Sequence, residues 1–276
     1  MNYQSYGDET CPLVFYFHGA PGSIKEAAFL EASAKAKHLN IICLDRSSLD
    51  VEIKDNAYHL LLADTIQLHM DTHASKSTSV DLIGFSIGCH VALEVSLCLG
   101  DKVKSLHLIS AAAPLDGGDF IDSMAGKAVF QLASKAPFLF KLLTGWQSLL
   151  MRFSPNAVFK MLFASAQGDD KDLIEYPKFK TQLIEILKDS FLTGSDGYLK
   201  DVFMYVAPWK DRVAMCHTPT YLWHGERDNW SPLAMADYLS ENLPDCRGKQ
   251  VQAGASHYSC LLSSIPLVCG AIAGDS

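Results

Sequence analysis

In the stretch "LIGFSIGCHVALE" (82–94), Ser86 stands between Gly84 and Gly88, where an apolar run gives way to a helix-like pattern. Small residues on so tight a corner fit an ordinary strand-to-helix turn. They also fit a nucleophile pushed out of the backbone for chemistry. Three further places have the same layout, with reactive groups directly after an apolar run. "LVFYF" leads into His18-Gly19-Ala20-Pro21-Gly22-Ser23, "TYLWHG" into Glu226-Arg227-Asp228, and "VQAGAS" into His257. In chain order the four run ends supply a Gly-rich loop, a serine, a carboxylate and a histidine.

The elements that must hold these groups can be read from the same pattern. Short apolar runs at 13–19, 40–45, 80–86, 103–110, 220–225 and 249–254 have the composition of buried parallel strands, and there is room for one more strand before residue 13. Helical patterns fall at roughly 23–38, 57–73, 87–99 and 232–242. Strand alternating with helix predicts an α/β fold with a doubly wound, mostly parallel sheet of about seven strands, and such a sheet binds ligands beyond the carboxyl ends of its strands. The alternation stops between about 114 and 212, where Leu, Phe, Met and Ala recur at helical spacing. The expected organisation is a core of 1–113 and 213–276 with a helical cap, 114–212, inserted between strands. Within the cap, Phe138, Phe140, Met151 and Met161 are expected mostly in its core, with a minority of such residues lining a pocket.

At these residues the chain resembles the α/β-hydrolase superfamily, in its cap-bearing branch with an HGxPG-type oxyanion loop and a serine nucleophile elbow. The resemblance runs from about residue 3 to 270, and Ser, Asp, His is the chain order of that superfamily. It implies that Ser86 attacks an acyl carbon, that His257 takes the serine proton and returns it to the leaving group, and that Asp228 orients the imidazole. It also implies that the backbone N–H groups of Ala20 and Ile87 hold the oxyanion, each worth about 3 kcal/mol. Gly84 and Gly88 give the serine room to protrude, and Gly19 shapes the loop that His18 supports. His224 is expected to support the acid turn in the same way. No metal and no organic cofactor is implied.

The chain departs from its relatives in three places. Cys89 stands where many of them carry glycine, the glycine-rich loop common after "LDRSS" (44–48) is missing, and the N-terminal part is short. Other readings stay open at single residues. Asp228 also suits a helix start. Asp116 is a rival acid, though its place at the entry to the insertion fits a turn residue better. His69 and His73, four apart, have metal-ligand spacing but no third ligand.

The expected activity is therefore a serine-dependent, carboxylesterase-like hydrolase acting on an ester or related acyl compound with a hydrophobic portion. A C–C bond hydrolase, thioesterase, amidase or acyltransferase could use the same triad, and a non-catalytic ligand-binding protein could use the same fold. The formal net charge of -8 argues against nucleic acid as a partner. Eight cysteines without a C-x-x-C pair, no apolar run long enough for a span and no signal-like N-terminus make a cytoplasmic protein the expectation. Residues 123 to 168 contain Lys127, Lys135, Lys141, Arg152 and Lys160 but no acid. Such a surface can lie on a membrane. The ordinary alternative, which is preferred on sequence alone, turns the apolar side to the active site and the lysines to water.

Overall fold

The computed structural model of the chain describes residues 1–49, 56–73 and 77–274. Seven strands form one sheet: β1 (Tyr3–Gly7), β2 (Leu13–Phe17), β3 (Asn40–Leu44), β4 (Val80–Phe85), β5 (Val103–Ile109), β6 (Thr220–Gly225) and β7 (Cys246–Gln252). Their spatial order is β1-β3-β2-β4-β5-β6-β7. β1 runs antiparallel to β3 and every other pairing is parallel. Every residue of β2, β3 and β4 is buried, because helices cover both sheet faces there. The edge strand β7, "CRGKQVQ", is half exposed and carries Arg247 and Lys249, charges that discourage pairing with another chain.

The helices are α1 (Glu31–Ala36), α2 (Asn56–Thr72), α3 (Gly88–Leu99), α4 (Lys127–Lys135), α5 (Pro137–Phe153), α6 (Pro155–Leu162), α7 (Asp170–Leu173), α8 (Pro177–Lys188), α9 (Ser195–Val206), α10 (Lys210–Val213), α11 (Leu233–Asn242) and α12 (His257–Ala273). The pattern expected at 23–38 splits into a 3₁₀ stretch, Ile24–Leu30, followed by α1. Between β5 and β6 the described residues contain helices α4 to α10 and no strand. Three of these helices, α5, α6 and α8, start with proline in the first turn, where its missing N–H costs nothing and its φ suits a helix. α12 starts with a reciprocal capping box between Ser256 and Ser259 and stops at Gly274, whose φ is +83°. No described helix is long and apolar enough to cross a membrane.

The chain order doubles back between β2 and β4. β2 continues to β3 on one side, and the chain then returns to lay β4 on the other. The carboxyl ends of these neighbours deliver the His18 loop and Ser86 side by side, at the position where open α/β sheets bind ligands.

Candidate active site

Ser86 follows β4 with φ +54°, a left-handed conformation that a residue with a side chain seldom adopts. Its carbonyl accepts from Cys89 and Ala112, and its N–H donates to Ile109. The glycines on either side meet backbone directly. A Cβ on Gly84 would stand 2.7 Å from Cys89 Cα, and one on Gly88 would stand 2.2 Å from the Phe17 carbonyl oxygen. Both positions therefore require glycine, and the turn they permit leads straight into α3.

Asp228 and His257 come together from the loops after β6 and β7. His257 Nδ1 lies 2.8 Å from Asp228 Oδ2, and both side chains are buried. The second carboxylate oxygen accepts from the amides of Trp230 and Ser231, each at 2.9 Å. Burial alone would raise the Asp228 carboxyl, but the His257 ring beside it, together with His224 and the Ser231 amide, holds it below its usual range. Ser86 makes no side-chain hydrogen bond to His257; the ring of Phe85, its chain neighbour, packs 4.8 Å from the imidazole. His224 Nε2 donates to Ser231 O at 2.7 Å, which braces the acid turn. The rival Asp116 accepts from the amides of Trp209 and Lys210, as a loop staple does.

The loop after β2 rests on a buried polar network that the sequence pattern did not single out. Glu26 Oε1 accepts from the Gly19 amide at 2.9 Å and from the Tyr16 hydroxyl at 2.7 Å. With its carboxyl fully buried, Glu26 is pushed up to about 7. Arg46 Nη2 donates to the His18 carbonyl at 2.8 Å and reaches Asp201 on α9 at 2.9 Å. The Tyr58 hydroxyl donates to the other Asp201 oxygen. Burial, and then the Arg46 charge, keep His18 well below its ordinary value, so it is a neutral support for its loop. Glu26 and Arg46 left a faint signal, as charges within three residues of apolar segments that fold into the core.

Ser86, Ala20 and Ile87 face one cavity of about 320 Å³. Its walls are mostly apolar: Val129 and Phe130 of α4, Leu143 and Leu150 of α5, Val158 and Met161 of α6, Tyr198 and Val202 of α9, and Trp230. Trp230 stacks on His257, which lies behind it. Of the four residues expected mostly in the core of the insertion, Phe140 and Met151 are fully buried, whereas Phe138 is 70% and Met161 50% exposed. Cys89 is buried, with its thiol raised by that burial. His69 packs edge-on against Tyr3 and Phe15. No cluster of three potential metal ligands occurs among the described residues. The stretch after Leu49, where the glycine-rich loop is missing, begins outside the described residues.

Residues 53–260 match the model of one protein family, the lipid-droplet associated hydrolases. The chain belongs to this family. Solved structures similar to this lipid-droplet associated hydrolase family member include an α/β hydrolase and esterases. MGS-M2, an alpha/beta hydrolase enzyme from a Medee basin deep-sea metagenome library, superposes with TM-score 0.69 at 16% identity, covering 100% of this chain and 94% of the other. A lipase-esterase related protein from Clostridium acetobutylicum gives 0.67 at 15%, over 100% and 99%. A thermophilic esterase from Thermogutta terrifontis gives 0.64 at 16%, over 98% and 90%. At such identities the likeness establishes the fold. No curated protein matches the chain by sequence. Family and fold together make the chain a hydrolase of the α/β type.

Proposed function

We propose that the chain is a serine esterase that cleaves a carboxylic ester with an apolar acyl portion through an acyl-enzyme. One observation carries this reading. A strained serine faces a deep apolar cavity, and a buried, hydrogen-bonded Asp228–His257 pair stands behind it. In this mechanism His257 removes the Ser86 proton as Oγ attacks the ester carbonyl, and the Ala20 and Ile87 amides take up the charge on oxygen. His257 then protonates the departing alcohol. Water, activated by the same imidazole, releases the acid. Residues 114–212 act as a cap whose inner helices hold the acyl chain.

A lipid surface is the proposed place of work, and the outer face of α5 supports it. Phe138, Leu139, Leu142, Trp146, Leu149 and Phe153 are each about half exposed or more. At 3.6 residues per turn they fall within an arc of about 100°, bordered by Lys141 and Arg152. The sequence alone favours a cap with its apolar side toward the active site and its lysines toward water; α5 is apolar on its cavity side and on its outer side, and the outer side supports the lipid contact. The family's name, which speaks of lipid droplets, points the same way. Eight free cysteines suit a reducing compartment such as the cytoplasm.

The test is labelling by a fluorescent fluorophosphonate, followed by turnover of a p-nitrophenyl ester chain-length series. Wild type is expected to label and to favour longer acyl chains, while Ser86→Ala and His257→Ala do neither. A folded wild type that takes up no probe overturns the reading.

A further inference from the structure

Asp170 is a fully buried carboxylate, supplied by α7 and far in sequence from the residues it touches. Its Oδ1 accepts from the Ser259 amide at 2.7 Å and its Oδ2 from the Tyr258 amide at 3.2 Å. These amides belong to the first turn of α12, where helix geometry leaves N–H groups without partners. His257 is the first residue of that helix. A carboxylate from the insertion therefore caps the helix that carries the candidate base.

The surroundings make the contact a latch. The Asp169 amide donates to the Gly254 carbonyl at 2.9 Å, in the loop that leads to His257. Gly168 just before it has φ +48°, and a Cβ there would stand 2.2 Å from the same carbonyl oxygen. The insertion also grips the acid turn: Asn229 donates to Ser165 O at 2.8 Å and accepts from the Ala125 amide at 2.7 Å. Burial pushes the Asp170 carboxyl up, and the hydroxyl and amide of Ser259, His257 and the Tyr258 amide draw it back. An apolar side chain here would leave the Tyr258 amide unpaired in the interior and the Ser259 amide with the Ser256 hydroxyl alone.

We infer that Asp170 is a positioning residue for His257: by capping α12 from the insertion, it sets where the imidazole stands relative to Ser86. This rests on the assignment of His257 as the base. Asp228 orients the ring, and Asp170 fixes the backbone that carries it. The insertion then has two tasks, lining the cavity and completing the catalytic geometry.

The experiment compares Asp170→Ala, Asp170→Asn and Asp170→Glu in the full chain. The readouts are kcat and KM on a short and a long ester, and the low-field proton resonance of the Asp228–His257 hydrogen bond. The expected result for Asp170→Ala is a kcat loss of about tenfold to a hundredfold, equal on both esters, with KM unchanged and the resonance displaced. Asp170→Asn, which keeps an acceptor for only one of the two amides and turns its NH2 toward the other, should recover part of both. Asp170→Glu, one methylene longer, keeps both acceptor oxygens but displaces them and should lose kcat, and it decides the matter if the alanine variant does not fold. Wild-type kcat in a folded Ala or Glu variant, a loss confined to KM on the long ester, or an Asn variant no better than Ala would each overturn the inference. The resonance needs no turnover. An unmoved line in Asp170→Ala therefore refutes positioning, while a wild type inactive on every ester refutes the esterase reading instead. Asp228→Asn, which should lose the line, identifies it.

Discussion

Trp230 lies flat against His257, with ring centroids 5.3 Å and planes 15° apart, and its backbone amide is held by the carboxylate that holds the imidazole. An indole face attracts a cation by about 1 kcal/mol or more when the pair is shielded from water. In the proposed mechanism, the imidazolium formed as Ser86 attacks is such a cation. Trp230→Leu should therefore lower kcat about fivefold to tenfold, and Trp230→Phe, which keeps a stacked ring, should lose less. Equal kcat in the two variants would show that the stack is packing alone.

Glu26 titrates near 4.5 as an ordinary carboxyl and near 7 when buried in the fold. Between those values the native chain keeps a proton that the unfolded chain has released. Stability from this group therefore falls as pH rises from about 4.5 to about 7 and is level above. Glu26→Gln retains an acceptor for Gly19 and Tyr16 and has no charge to bury. It should gain stability over wild type at pH 8 by at most about 3 kcal/mol and gain little at pH 4.5. Denaturant melts of both proteins at both pH values measure the difference. An equal gap at the two values contradicts the prediction.

Arg46 and Asp201 form an ion pair at 2.9 Å with both side chains almost wholly buried. Asp201→Ala leaves the guanidinium without its counter-charge, at a cost of about 3–5 kcal/mol. Pairing Arg46→Met with Asp201→Leu should restore much of that. Urea unfolding of single and double variants gives the comparison, and a single variant as stable as wild type would rule out the pair as a tie between α9 and the His18 loop.

The outer stripe of α5 does not line the cavity. Replacing Leu142, Trp146 and Leu149 together by Glu should abolish flotation with a phospholipid-coated triacylglycerol emulsion while kcat on a dissolved short ester stays near wild type. Flotation unaffected by the triple change would move the lipid contact elsewhere.

The positions of the strands were legible because β2, β3 and β4 are apolar throughout and end in Gly, Asp or Ser. β7 was harder to read. Its sequence starts with "CRGK", and a half-exposed edge strand needs no apolar face, so the sequence pattern placed its start three residues late. α12 escaped notice because it is apolar on nearly every side and contains Pro266, which masks its period. Ser86, Asp228 and His257 stood out because each follows a strand. Asp170 and Glu26 did not, since a lone acid on a helix looks like a solvated one until the chain has folded around it. Periodicity likewise marked α5 as a helix, but it could not tell Phe140, turned inward, from Phe138, turned out.

Leu143 and Leu150 face the cavity from α5 while Trp146 and Leu149 on the same helix face outward. The wall between the cavity and the surroundings is thus one helix thick, about 10 Å. Under the proposed lipid contact, an acyl chain entering past that helix would avoid the cost of being drawn into water, about 0.8 kcal/mol per methylene. Turnover under that proposal would scale with the area of oil on offer instead of with the concentration of dissolved ester.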